Sequence, residues 1–449
     1  MSKKSILLTL LIGQTFLWTG SAFLSVLDRL YGFYNPTQAV LFTEVLYYIF
    51  QAAGIAVFAL LLHKKPFICE HKLFAPLSVA ITGAFTAAAL LSGNGTMFTI
   101  AGGLMNLGIG ILSGVYLTRL SSCVPQQDRG KVFGYSYAIG SIGTYLLSLL
   151  CGGTLLQSNI ALYVFAGLIV LSVVLTRYLE PLAAAQEDWQ IDCARIDSKL
   201  VWLALCIPLV CSVVNGMGGF LPAADLSGVL NPAFTRAFYA VGLIAAGYIN
   251  DKDRRFGAIC CTVALVFPFI SLALKDTVGI SVFISILSYI FYGFFSVYRV
   301  VLFADIAGKR TTFLYLAVFG LMAGRIGDAL GTLGGVMLGE SQVLLTCLTA
   351  AIFIVGMLLF FSLYHKLYMP RLSEKENTEA LLVEYEARYE FTSRQSEIFR
   401  LVVKGCSNME ISGELFLSEN TVKFHMKNIL KKTSCANRTE LIAKFKHPK

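Results

Sequence analysis

The sequence predicts an all-α protein: a polytopic transmembrane helical bundle of six plus six spans, transporter-like in arrangement, followed by a small C-terminal four-helix domain. Three observations carry this. First, 56% of the 449 residues are hydrophobic and only 14% are charged, against about 25% charged in a typical soluble domain. Mean hydropathy is +0.70, which places most of the chain in lipid. Second, twelve windows are apolar over the roughly 20 residues a helix needs to cross a bilayer. Third, the segment after residue 389 carries its own helix starts and stops, with a basic balance. The domains expected are a membrane bundle over 1–367, a linker over 368–389 and a DNA-binding head over 390–449.

In chain order the windows are 5–27, 38–62, 73–92, 97–120, 130–151, 158–179, 199–221, 233–250, 256–274, 278–304, 311–338 and 342–367. Turn-forming residues break them, as at Asn35-Pro36, Ser92-Gly93-Asn94-Gly95 and Asn231-Pro232. The longer connection from Glu180 to Lys199 divides six spans from six. Lys3-Lys4 before the apolar run Ile6 to Val26 imitates a secretory signal, but the many spans that follow predict an uncleaved first helix. The eleven cysteines are scattered, several in apolar runs, with no C-x-x-C or metal-ligand spacing, and are read as reduced small hydrophobes.

Loop charge sets the orientation. One set of connections holds Lys3, Lys4, Lys64, Lys65, Lys72, Arg129, Lys131, Lys252, Arg254, Arg255, Lys309 and Arg310. The alternate set holds little beyond Arg29, Arg236 and Lys275. The basic set belongs inside, so both termini are expected in the cytoplasm of an inner-membrane protein. After the eighth window runs Gly247-Tyr248-Ile249-Asn250-Asp251-Lys252-Asp253-Arg254-Arg255. With the six-plus-six organisation, this stretch resembles the major facilitator superfamily, whose loop there reads G-x-x-x-D-(R/K)-x-G-(R/K)-(R/K). Arg254 stands where the family has its second glycine, and the first-half loop, His63 to Lys72, keeps basic residues without the motif. The resemblance implies that Asp251 meets a neighbouring helix end and helps control closure of the two halves; a basic loop that merely obeys topology is the plainer alternative.

Ionisable residues inside a membrane are costly and mark functional candidates. Glu44 lies in the second window, with Tyr47 and Gln51 on the same helical face and Tyr48 nearby. Arg299 and Asp305 lie in the tenth, with Tyr292 two turns before Arg299. Arg325 and Asp328 follow at i and i+3 in the eleventh. Asn106, Tyr135, Tyr145 and Asn215 add polar groups. Together these are the candidates for binding a polar small molecule, anionic or aromatic; ion pairing that only fixes helix packing, such as Arg325 with Asp328, is the alternative. Asp305, near a span end, is expected to face water.

Pro370 is expected to end the last span. Leu381, Leu382, Tyr385 and Tyr389 then recur at helical spacing, predicting a short amphipathic helix between bundle and head. In the head, Thr392 with Gln395 and Ser407 with Glu410 have capping-box spacing. Gly405 fits a helix stop, and Ser418 and Asn437 fit helix starts. Ile398, Leu401, Val402, Ile411, Leu415, Leu417, Val422 and Ile429 supply the core. From Phe391 to Lys449 eleven Lys and Arg face five Glu, a balance of +6 suited to an anionic partner. Gly405 through Ile411, Ser418 through His425 and Asn437-Arg438-Thr439-Glu440-Leu441 make this segment similar to the LuxR-type helix-turn-helix family. It departs from the family at Gly413 and Phe416, placed in the second helix, and at Phe424 in the third.

The resemblance implies that the helix from Glu419 to about Lys432 enters the major groove of double-stranded promoter DNA. Lys423, Phe424 and Lys427 would face base edges. Ser418, Thr421, Lys431 and Lys432 would hold the backbone. It also implies a homodimer paired through the fourth helix, around Arg438 to Phe445. No nucleotide loop, nucleophile constellation or kinase signature is found, so no enzyme activity, cofactor or metal is expected. The function expected is a one-component transcription regulator, anchored in membrane lipid and gated by an unidentified small molecule. An active transporter with a regulatory head is the alternative, favoured a little by the Gly247 to Arg255 loop.

Overall fold

The computed structural model describes residues 1–150, 159–179, 182, 198–225, 232–274, 281–308, 311–339, 341–368, 374–403 and 405–446, and among these it is helical with no strand. Most of the Glu180 to Lys199 connection, Lys275, Lys309, Arg310 and Pro370 lie outside the described residues. The chain forms two compact units, residues 1–368 and 369–449.

The first unit has a helix at each predicted window. They are α1 (Lys3–Phe33), α2 (Pro36–Lys64), α3 (Phe74–Leu91), α4 (Gly95–Cys123), α5 (Arg129–Leu150) and α6 (Asn159–Leu175) in the first half. In the second half they are α7 (Ser198–Asp225), α8 (Tyr239–Lys252, after a turn of helix Pro232–Ala237) and α9, in two pieces, Arg254–Ala264 and Phe267–Leu274. Then come α10 (Ser281–Ala307), α11 (Phe319–Leu338) and α12 (Gln342–Tyr368). Eight of these, among the described residues, are long and apolar enough in themselves to cross a membrane. The others, α5, α6, α8 and α9, are more polar, shorter or interrupted.

The predicted breaks are helix starts. Asn35 accepts from the backbone of Gln38 at 2.8 Å in a capping box with Pro36 behind it. Asn94 accepts from the backbone of Thr96 at 2.8 Å to open α4. One local feature departs from the regular pattern: Leu41–Leu46, inside α2, is π-helical. The wider π turn shifts which residues stack on one face.

The two halves repeat one packing scheme. Small residues let backbones approach where helices cross, a habit of membrane bundles. In the first half Gly54 of α2 lies against the Leu107 carbonyl of α4, and Gly110 of α4 against the Gln51 carbonyl of α2. In the second half Gly242 of α8 lies against the Ile290 carbonyl of α10, and Gly293 against Gly242. Gly140 of α5 packs on Phe16 of α1, as Gly331 of α11 packs on the Val213 carbonyl of α7. A Cβ at these positions would meet main chain or, at Gly140, the Phe16 Cβ. Between the halves, α5 meets α8 and α2 meets α11, which are equivalent pairs under the repeat. The largest apolar cluster joins both halves, with Phe58, Val115 and Phe133 from the first and Leu243, Val297 and Val301 from the second.

Among its described residues the second unit has five helices: α13 (Glu374–Arg388), α14 (Ser393–Val403), α15 (Asn408–Glu414), α16 (Glu419–Thr433) and α17 (Arg438–Lys446). Its core contains every predicted position, with Leu415 and Leu417 only partly buried, and adds Leu382, Tyr385, Phe399, Met426, Cys435 and Phe445. The stripe Val422, Met426, Ile429, Thr433 is the buried face of α16. α13 is packed into this core: the Tyr385 ring stacks on Phe399 with centroids 5.2 Å apart, and Arg400 ion-pairs with Glu386 at 2.7 Å and with Glu379.

Candidate functional site

The head is built from caps. Thr392 and Gln395 exchange backbone and side-chain bonds at 3.0 and 3.4 Å, and Ser407 and Glu410 do so at 2.6 and 3.3 Å. The Ser407 N–H holds the Glu410 carboxyl below the usual glutamate range. Ser418 Oγ accepts from the Thr421 backbone at 3.1 Å, and Asn437 Oδ1 from Glu440 at 2.8 Å. α14 closes with Cys406 N–H on the Leu401 carbonyl and Gly405 N–H on that of Val402, with Gly405 at φ 95°. Phe416 and Ser434 take the same left-handed position after α15 and α16, at φ 53° and 56°. Phe416 therefore lies beyond the second helix, not in it, and is 95% exposed.

On α16 the outward face carries Lys423, Phe424 and Lys427, all exposed, with Phe424 at 62%. Lys423 pairs with Glu419 one turn back at 3.4 Å, an exposed pair that competes little with a phosphate or base. Ser418 and Thr421 lie at the start of this helix, their hydroxyls 2.7 Å apart, and Lys431 is exposed in its last turn. Lys432 differs: its ammonium donates to the Glu390 carbonyl at 2.6 Å and to Gln395 Oε1 at 3.0 Å. This ties α16 to the start of α14. Arg438, in the family-like run of α17, donates to the Val402 carbonyl at 3.4 Å and to that of Cys406, bracing the first turn of the head.

In the bundle, polar groups converge between the halves. Asp328 of α11 accepts from Tyr292 Oη at 2.8 Å and lies 3.5 Å from Arg299 and 3.7 Å from Arg325. Arg299 also donates to Ser212 of α7 at 3.3 Å and to Tyr292 at 3.2 Å, under the rings of Tyr292 and Phe295. Arg325 sits 4.4 Å from the ring centroid of Tyr48, across the α2–α11 contact. Glu44 is half-buried and has Tyr48, Asp328 and Arg325 as its electrostatic neighbours. The nitrogens Arg299 Nε and Arg325 Nε and the oxygen Asp328 Oδ1 are buried without a hydrogen-bond partner.

Two candidates from α2 leave this cluster. Tyr47 is fully buried, its hydroxyl against Gly102 of α4 among Phe98, Ala101 and Met105. Gln51 is buried with its carbonyl against Gly110. Glu44 and Tyr48, four residues apart, meet on one face, while Tyr47 faces the neighbouring helix of its own half. A further cation joins the cluster that charge counting had assigned to a loop. Arg236 precedes α8 and reaches back to Gly20 of α1, hydrogen-bonding Tyr137 and with Tyr289 and Tyr48 as electrostatic neighbours. The signal was available, since Arg236 falls inside the window 233–250. Tyr137 stacks on Phe16 at 4.7 Å and meets Tyr239 edge-on at 5.0 Å, continuing the aromatic wall.

At the end of the bundle that carries the basic connections, the halves are latched. Asp251 accepts from the backbone of Gly130 and Lys131, both at 2.7 Å, capping the first turn of α5. Arg254, in the glycine's place, reaches Asp251 at 3.0 Å, Asp305 at 2.7 Å and the Gln126 carbonyl. Arg129 adds a 3.0 Å pair with Asp305. Asp305 is thus held between two arginines instead of facing water. At the equivalent place in the other half, His63 instead packs against the Tyr315 ring, with centroids 4.6 Å apart.

Residues 390–445 match the family model described as bacterial regulatory proteins, luxR family. The uncharacterized transcriptional regulatory protein YhcZ of Bacillus subtilis is 42% identical over 57 residues, 13% of this chain and 27% of that protein. The CsgBAC operon transcriptional regulatory protein of Escherichia coli is 46% identical over 52 residues, 12% of this chain and 24% of that one. The chain thus spans about a quarter of those relatives. The spore germination protein GerE of Bacillus subtilis is 33% identical over 62 residues, 14% of this chain but 84% of that protein. The bundle matches transporters in fold. The E. coli fucose:proton symporter aligns with a TM-score of 0.54 at 15% identity, covering 80% of this chain and 99% of that one. The human organic anion transporter MFSD10 aligns with a TM-score of 0.60 at 11% identity, covering 80% and 100%.

Proposed function

Because this chain belongs to the luxR family of bacterial regulatory proteins and carries a transporter-fold, multi-pass bundle ahead of the matching segment, we propose that it is a membrane-bound transcription regulator gated by a small molecule. The observation that carries this is the pairing, in one chain, of a capped helix presenting Lys423, Phe424 and Lys427 with a charged cluster inside the bundle. Lys423, Phe424 and Lys427 read base edges in the major groove of promoter DNA, and Ser418, Thr421 and Lys431 hold the backbone. Lys432, bonded within the head, holds α16 against α14 as well as lying near phosphates. Two heads bind as a homodimer on a two-half site. The N- and C-termini lie in the cytoplasm, on the side of the basic connections.

The ligand binds among Glu44, Tyr48, Tyr292, Arg299, Arg325 and Asp328, where α2 meets α11. Binding shifts the bundle between two conformations, and α13 passes the shift to the head. A reporter on the promoter next to the gene tests this, with cells carrying the wild type or Lys423→Ala/Lys427→Ala and challenged with a panel of small metabolites. A response to one metabolite that vanishes in the double variant is expected. A promoter that depends on the lysines but ignores every metabolite leaves DNA binding intact and overturns the gating.

A further inference from the structure

The bundle cluster sets three guanidinium groups, Arg236, Arg299 and Arg325, against two carboxylates, Glu44 and Asp328. The distribution is uneven. Asp328 takes both Arg299 and Arg325, with the Tyr292 hydroxyl on the same oxygen. Glu44 is engaged first by Tyr48, then by Asp328, Arg325 and, more weakly, Arg236. Among the described residues no carboxylate lies within ion-pair distance of Arg236, although Arg129, Arg254, Arg299 and Arg325 each have one. Its guanidinium instead hydrogen-bonds Tyr137, has Tyr289 and Tyr48 as further electrostatic neighbours, and lies beside Gly20, where a Cβ would stand 3.4 Å from it.

A guanidinium away from bulk water is costly until an anion meets it, and its planar fork matches a carboxylate through two parallel bonds. Tyrosine rings give flat apolar walls with hydroxyls at their rims. We propose that the bundle's ligand is a small organic anion, its carboxylate paired with Arg236 and its body lying among Tyr48, Tyr137 and Tyr289. The two other charge classes fit worse. A cation would enter a cluster that, among the described residues, has one excess positive charge, and would contest Asp328 with two arginines. A neutral ligand would leave Arg236 with only the field of Glu44, beyond ion-pair distance. This inference rests on the reading of the bundle as a ligand sensor and goes beyond it by fixing the ligand's charge and the residue that reads it.

The test uses the full-length protein in detergent micelles. Benzoate, phenylacetate and 3-phenylpropionate are compared with their amides and the matching amines, by thermal unfolding and by saturable binding. At least one acid is expected to bind and to raise the melting temperature, while its amide and amine do not. Arg236→Gln is expected to weaken that acid by roughly tenfold or more, with DNA binding by the head unchanged. Where the glutamine variant does not accumulate, Arg236→Lys serves, since it keeps the charge and loses the fork; weakened acid binding is again expected. An amine or amide that binds as tightly as its acid, acid binding indifferent to both Arg236 variants, or binding by none of the acids overturns the proposal. A promoter that still responds to a neutral metabolite would then leave the sensing function standing without the anion assignment. A promoter that responds to nothing fails the sensing function itself.

Discussion

Phe416 is a phenylalanine in the left-handed region with its ring almost wholly in solvent. A β-carbon there costs about 1–2 kcal/mol, while glycine carries only its extra unfolded-chain entropy of roughly 0.5–1 kcal/mol. Phe416→Gly should therefore stabilise the head by about 0.5–1 kcal/mol, read as a higher denaturation midpoint of residues 374–449. An unchanged or lower midpoint would mean that the exposed ring has packing of its own. On α16 the exposed lysines divide by task. Lys423→Ala should cost about 1–3 kcal/mol of binding and relax the sequence preference at one base pair, as for a side chain that touches a base edge. Lys431→Ala should weaken all sequences alike and lower the salt slope by about one. Titrations at several salt concentrations, on a selected site and on shuffled DNA, separate the two.

The elements of the head were legible in the sequence because its signals are local. Thr392, Ser407, Ser418 and Asn437 each cap the helix they precede, and Gly405 stops the one before it. Three features of the bundle were not legible, and for one reason: hydropathy reports depth in the membrane, not the direction a side chain points. Tyr47 and Tyr48 are equally good candidates by spacing, and only the packing of the helices decides that Tyr48 meets Arg325 while Tyr47 meets Gly102. Arg236 was counted as loop charge because topology rules treat a cation near a span end as an anchor. Asp305, for the same reason, was expected in water, yet it sits between Arg129 and Arg254. The Glu44 carboxylate also gives a prediction. Glu44→Gln keeps the shape of the side chain and removes its charge from beside Tyr48 and Arg325. The reporter should lose its metabolite response, and the head should still bind its DNA. A normal response in this variant would exclude the Glu44 charge from the site.

For the bundle as a whole, the repeat puts its two inter-half seams at α2–α11 and α5–α8, and they differ in chemistry. The first carries Arg325 on Tyr48; the second carries the Asp251 latch. A hydrogen bond to a charged group contributes about 1.5–3 kcal/mol. Asp251→Ala should therefore raise amide hydrogen exchange at Gly130 and Lys131 by roughly tenfold or more, detectable by mass spectrometry of the peptide that spans them. Exchange unchanged from wild type would mean that α5 keeps its first turn without the latch. Arg254→Gly should raise it less, because Asp251 keeps its two backbone donors.

The attachment of α13 to the head has a mechanical consequence. Tyr385 stacked on Phe399, and Arg400 clamped between Glu379 and Glu386, join that helix to the helix-turn-helix core as one stiff part. Torque applied near Glu374 therefore has no compliant joint to absorb it before it reaches α16. A few degrees of twist delivered at Glu374 would become a comparable rotation of Lys423 and Lys427 about the same lever, where a slack α13 would pass on only a change in distance.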